Sequence, residues 1–129
     1  LKGTEFTEQS FESLGIQPSR INCLHLSPGG TLWAGTASSH LIRINRDDVN
    51  ILNTGTGAPV TGLLVSHDGS LWIGTKGAGL LKMLNGQWTS YTKTNSFLPD
   101  DTILTLAANP DGTILAGFSD GHILSFRNE

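Results

Sequence analysis

Apolar residues in this chain come in short runs that alternate with polar ones and are cut repeatedly by glycine, proline, asparagine and aspartate. Alternation with period two is the signature of half-buried strands, and no stretch keeps the 3.6-residue period of a helix. The plainest case is His67-Asp68-Gly69-Ser70-Leu71-Trp72-Ile73-Gly74-Thr75. It predicts a tight turn at Asp68-Gly69, where the backbone needs φ > 0, then a strand with Leu71 and Ile73 on one face and Trp72 on the other. The same pattern occurs at Pro28-Gly29-Gly30-Thr31-Leu32-Trp33-Ala34-Gly35-Thr36 and at Pro110-Asp111-Gly112-Thr113-Ile114-Leu115-Ala116-Gly117-Phe118.

Aligned on Gly30, Gly69 and Gly112, the three units are spaced by 39 and 43 residues. The run before each turn also matches: Ile21-Asn22-Cys23-Leu24, Val60-Thr61-Gly62-Leu63 and Ile103-Leu104-Thr105-Leu106. So does the run beginning six residues after the closing glycine: Leu41-Ile42-Arg43-Ile44, Leu80-Leu81-Lys82-Met83 and Ile123-Leu124-Ser125-Phe126. In the middle unit four strands, a to d, are expected at about 60–65, 70–74, 79–84 and 87–91, with Asn85-Gly86 turning c into d. Four short antiparallel strands in about 40 residues is the period of a β-propeller blade.

The expected fold is therefore all-β, a β-propeller portion of about three four-stranded antiparallel blades. Blades span 21–53 and 60–92; strands a to c of the last span 103–127. Phe11-Glu12-Ser13-Leu14 aligns with Trp88-Thr89-Ser90-Tyr91, so residues 5–14 are expected to be a lone strand d, and one blade is split between the two ends. Three blades do not readily close a ring, because propellers have four or more. Either the chain is the remainder of a longer propeller, or copies assemble, and a dimer completing a six-bladed ring is the first expectation.

Composition narrows the function. Only 15% of residues are charged and the net charge is −3, with Lys and Arg scattered singly, which argues against nucleic acid or an anionic membrane as partner. No stretch approaches the roughly 20 apolar residues of a membrane helix. The single Cys23 has no disulfide partner in the chain and lies in an apolar run, where an inert packed thiol is expected. Leu1 is not a natural initiator and the sole methionine is Met83, so the chain is expected to be a piece of something longer.

The sequence Asp68-Gly69-Ser70-Leu71-Trp72-Ile73-Gly74-Thr75, followed by Gly77-Ala78-Gly79-Leu80, resembles the two-component regulator propeller repeat. The first unit matches with Gly29-Gly30 in place of Asp-Gly and Ala34 in place of Ile. The third departs most, with Leu115 for Trp and Phe118 for Thr. The resemblance implies the extracytoplasmic, periplasmic sensor portion of bacterial hybrid histidine kinase-type receptors, whose propellers are seven-bladed and whose ligands include carbohydrates.

Candidate chemistry is sparse. Trp33 and Trp72 share a repeat position, so packing between neighbouring sheets is expected of them before sugar stacking, and Trp88 is expected at the rim. Recognition is expected on the face carrying the d–a and b–c connections, since loops on a rigid scaffold carry function. The ligand-binding candidates there are Arg20, His40, Lys76 and His122. His40 and His122 hold equivalent positions, but two histidines without a third ligand do not define a zinc site, and no metal or cofactor is expected. His25 and His67 fall on the opposite face and are expected to be solvated. Asp47-Asp48 and Asp100-Asp101 are adjacent carboxylates; neighbours on a strand point oppositely, so turn formation is expected rather than acid–base work. No Gly-x-Ser-x-Gly elbow or phosphate loop occurs. The expected function is non-enzymatic ligand sensing. A protein-interaction scaffold and a fragment of a propeller glycoside hydrolase or lyase are the alternatives.

Overall fold

A computed structural model describes residues 20–46 and 48–127; the expected strand at 5–14 lies outside them, as does Asp47. Among the described residues there are eleven strands and no helix: β1 (Ile21–Leu26), β2 (Leu32–Thr36), β3 (His40–Asn45), β4 (Asp48–Asn53), β5 (Val60–Val65), β6 (Leu71–Thr75), β7 (Leu80–Leu84), β8 (Gln87–Tyr91), β9 (Ile103–Ala108), β10 (Ile114–Phe118) and β11 (Ile123–Phe126). They form three antiparallel meanders in chain order, β1-β2-β3-β4, β5-β6-β7-β8 and β9-β10-β11. These are the blades the repeat predicts. Among the described residues the third has three strands, and the outer edge of β11 has no neighbour.

Successive blades are arrayed side by side, with β5 against β1 and β2, and β9 against β5 and β6. Alternation along each strand gives every blade two apolar faces. The face of the second blade that carries Leu63, Leu71, Ile73 and Leu81 packs on Trp33 and Leu41 of the first. Its other face, with Leu64, Trp72 and Leu80, packs on Ile103, Ile114, Ala116 and Phe118 of the third. Lying centrally in the middle blade, β6 is buried at every position, which is why its Leu71-Trp72-Ile73 run is continuously apolar. Trp72 sits edge-on to Phe126 (5.1 Å between ring centres) and stacks on Tyr91 at 6.0 Å. Trp33 and Trp72 are thus inter-blade packing residues, while Trp88 is exposed at the rim.

Two kinds of hairpin turn join the strands. Asn85 and Gly86 both have positive φ (52° and 80°), the two-residue primed turn expected there. The a–b turns differ from expectation. At Asp68-Gly69 only Gly69 has positive φ (88°), and the turn is wider: Gly69 N–H bonds Ser66 O, and Ser66 N–H bonds Ser70 O. Asp68 acts through its side chain, which accepts from the hydroxyls of Ser66 and Ser70 and from Ser70 N–H. Gly30 and Gly112 repeat the geometry at φ 90° and 93°.

Candidate functional site

The d–a and b–c connections share one edge of the blades and are tied by a bond repeated three times. Ala37 N–H donates to Arg20 O (2.9 Å), Lys76 N–H to Pro59 O (3.0 Å) and Ser119 N–H to Thr102 O (3.2 Å). Each b–c turn is thereby fixed to the residue that enters its own first strand. Further bonds brace each linker. Ser39 Oγ lies 2.6 Å from Thr54 Oγ1 and accepts from Gly57 N–H. Asp101 O accepts from Gly77 N–H and Gly79 N–H at 3.1 and 2.8 Å.

All four expected binding residues lie on this edge. Arg20 is exposed, its Nε donating to Asn22 Oδ1 at 3.1 Å. His40 opens β3, half-buried; its N–H donates to Thr36 Oγ1, and that hydroxyl donates back to His40 O. Lys76 is exposed and bridges to Thr102, beside the 92–102 linker. His122 is exposed, its Nδ1 2.8 Å from Asp120 Oδ2. They stand one or two to a blade, and no hydrogen bond or ion pair joins any two of them among the described residues.

The 92–102 linker draws two of them toward a common neighbourhood. On one side Asp101 holds the turn that contains Lys76; on the other Asp100 accepts from the Ser119 hydroxyl in the turn that contains His122. Asp101 Oδ1 also accepts from Lys93 N–H at 2.8 Å, so the adjacent aspartates brace the loop from both sides. The Ser119 hydrogen bond holds the Asp100 carboxyl below its ordinary value, and bonding to His122 does the same for Asp120. Both stay ionised at neutral pH. The edge between blades two and three thus carries the ionised carboxylates of Asp100 and Asp120, with Lys76 and His122 in the b–c turns on either side of the 92–102 linker. Among the described residues no three His, Cys, Asp or Glu side chains converge to hold a metal ion.

Two features escaped the sequence. A cavity of about 220 Å³ opens between blades two and three, lined by Trp72, Leu80, Tyr91, Leu98, Leu124 and Phe126 among others. Its clue is the apolar Phe97-Leu98 pair inside an otherwise polar linker. His25 is not simply solvated as expected: it is half-buried, and its Nε2 accepts from Val65 N–H of the next blade at 3.1 Å. Burial pushes its pKa down. Cys23 is half-buried too, and burial pushes its thiol up, as for an inert packing group.

Residues 54–77, from the first linker through β6 into its following turn, match the family model described as two component regulator propeller. The match covers β5 and β6, the first half of the second blade. In fold the chain is similar to the extracellular domain of a putative one component system from B. thetaiotaomicron (TM-score 0.75, 18% identity, 99% of this chain and 18% of that one). It is also similar to PorZ, a bacterial surface component of the type-IX secretion system of Porphyromonas gingivalis (TM-score 0.70, 21% identity, 83% and 17%). A third likeness is to virginiamycin B lyase from Staphylococcus aureus (TM-score 0.61, 20% identity, 81% and 40%). The chain spans less than a fifth of the first two and two fifths of the lyase. No curated protein matches it significantly.

Proposed function

We propose that this repeat-bearing chain is a non-enzymatic, ligand-sensing part of a bacterial extracytoplasmic receptor of the two-component type, located in the periplasm or at the cell surface. The observation that carries the reading is the two component regulator propeller repeat at 54–77, together with a fold shared with extracellular domains of putative one-component and hybrid two-component systems. The binding surface is the loop edge between blades two and three, where Lys76, Asp100, Asp120 and His122 offer charged donors and acceptors around the 92–102 linker. Its ligand class is a carbohydrate, whose hydroxyls suit paired donors and acceptors. Arg20 and His40 extend the same edge toward blade one. The lyase reading rests on likeness of fold alone, and the scaffold reading on the loop edge engaging a protein surface instead.

Titrating the chain with a panel of oligosaccharides by calorimetry tests the proposal. One saccharide is expected to bind, with affinity falling at least tenfold in Lys76→Ala and His122→Ala while Trp88→Ser leaves it unchanged. No binding across the panel overturns sensing of carbohydrate, and turnover of any saccharide overturns the non-enzymatic reading.

A further inference from the structure

The hairpin that joins β7 to β8 is built on Asn85-Gly86, the sole Asn-Gly step in the chain. Both residues are exposed, and a Cβ added to Gly86 would meet nothing within 4 Å. A two-residue primed turn bonds its strands through the flanking residues, here Leu84 and Gln87, and leaves the N–H between its central residues free. Accordingly, neither the Gly86 N–H nor the Asn85 carboxamide takes part in a hydrogen bond among the described residues. An electrophilic carbon, Asn85 Cγ, and the backbone nitrogen that follows it are therefore both open to solvent and both unbonded.

Other asparagines are held away from this chemistry. Asn22 Nδ2 donates to Val60 O at 3.0 Å, and Asn53 Oδ1 accepts from Gly55 N–H at 2.8 Å. Asn95 uses both ends of its amide, accepting from Thr92 N–H and donating to Ser90 O. Each of the three also precedes a residue with a side chain, Cys23, Thr54 or Ser96, which crowds the backbone nitrogen. Asn85 has neither protection.

We propose that Asn85 is a site of spontaneous modification, deamidating to aspartate and isoaspartate, and that isoaspartate there releases β8 from the second blade. Gly86 N attacks Asn85 Cγ; the N–Cγ bond forms, the Cγ–Nδ2 bond breaks, and the amide nitrogen leaves as ammonia. Water then opens the cyclic imide. Attack at one carbonyl gives aspartate; attack at the other gives isoaspartate, whose main chain runs through Cβ and Cγ. Isoaspartate thus adds an atom to the backbone of a two-residue loop, and loop length sets hairpin register. Strand β8 is poorly placed to absorb the change. It is the last strand of its sheet and pairs with β7 alone among the described residues. Gln87, Trp88, Thr89 and Ser90 are exposed, and Tyr91 is its one inward anchor, stacked on Trp72 at 6.0 Å between ring centres.

Incubating the folded 129-residue chain at pH 8 and 37 °C and then digesting it with trypsin tests the proposal. Cleavage after Lys82 and Lys93 isolates 83–93, a peptide in which Asn85 is the only asparagine. That peptide is expected to gain the mass of an acid in place of an amide, in isoaspartyl and aspartyl forms that separate by chromatography. Its rate is expected to stay within tenfold of that in the urea-unfolded chain, and to rise from pH 6 to pH 9 as the Gly86 nitrogen gives up its proton more readily. Asn22, Asn53 and Asn95 are expected to change at least tenfold more slowly in the folded chain. The aged chain is expected to melt below the fresh one, whereas Asn85→Asp, which keeps the normal backbone and an equally good turn residue, melts with the fresh chain. Modification of 83–93 confined to the unfolded chain overturns the site, and equal melting of aged and fresh chain overturns the release of β8.

Discussion

The indole Nε1–H of Trp72 donates to the Ser66 hydroxyl at 3.1 Å, and that hydroxyl donates in turn to Asp68. The turn and the inter-blade tryptophan are therefore one unit: the loop residues that form the hairpin also fix the ring that fills the joint. Ser66→Ala strands a buried N–H and is expected to cost about 1–3 kcal/mol in urea unfolding. A loss under about 0.5 kcal/mol would show that Trp72 is held by packing alone.

The two buried tryptophans and the exposed one separate packing from rim. Trp33→Ala or Trp72→Ala empties an inter-blade joint and is expected to destabilise by about 3–5 kcal/mol. Trp88→Ala, at the rim, is expected to change stability by less than about 1 kcal/mol. Equal losses at all three positions would contradict the packing assignment.

Gly74→Ala drives a methyl toward Ile103 Cγ2 and is expected to cost about 1–3 kcal/mol. Ile103→Ala removes the clashing atom while opening a cavity, so the double variant is expected to lose about 1 kcal/mol less than the sum of the singles. Additive losses would mean that the glycine serves its own strand and not the joint.

His25 makes the joint between blades one and two pH-sensitive. Its folded pKa lies below the ordinary 6.5 because burial disfavours the cation. The unfolded chain then takes up the proton first, so stability is full above 6.5 and falls as pH drops through that value toward the folded pKa. Protonation of Nε2 also removes the acceptor that Val65 N–H uses. The wild type is expected to lose melting temperature between pH 7.5 and 5.5 by more than His25→Gln does, measured by thermal denaturation. Parallel curves would remove His25 as the cause.

Acid acts on the Asp68 turn in the same direction at lower pH. Burial alone raises the carboxyl, but hydrogen bonds from Ser66 and Ser70, with Lys82 nearby, leave it below its ordinary 3.8. The stability it lends is complete above 3.8 and lost as pH falls below that value through the folded pKa. Asp68→Asn is expected to flatten the melting curve in that range. A slope equal to the wild type's would assign acid sensitivity elsewhere.

Most of the architecture is legible in the sequence because a repeat reports the same physics three times. Leu71, Trp72 and Ile73 announce a strand, and Leu32, Trp33 and Ala34 in register with them announce a blade. Gly35 and Gly74 are conspicuous in sequence, yet their partners Val60 and Ile103 lie 25 and 29 positions away, so the close approach emerges only in space. The Asp68-Gly69 turn is wider than its sequence pattern predicts because an aspartate tolerates positive φ but here bonds through its carboxylate. The candidate site is less legible. Arg20, His40, Lys76 and His122 follow from topology, since every b–c turn must lie on the loop edge. The brace from Asp100 to Ser119 spans 19 residues between two unrelated loops, and no local pattern encodes it.

The linkers differ where the strands do not: six residues join β4 to β5, and eleven join β8 to β9. The longer spacing between the second and third repeats is thus absorbed by a loop, leaving β9 and β10 packed against the second blade as before. Loop length is the variable element of this array: the linker grows from six residues to eleven while Val60 over Gly35 and Ile103 over Gly74 keep the same relation.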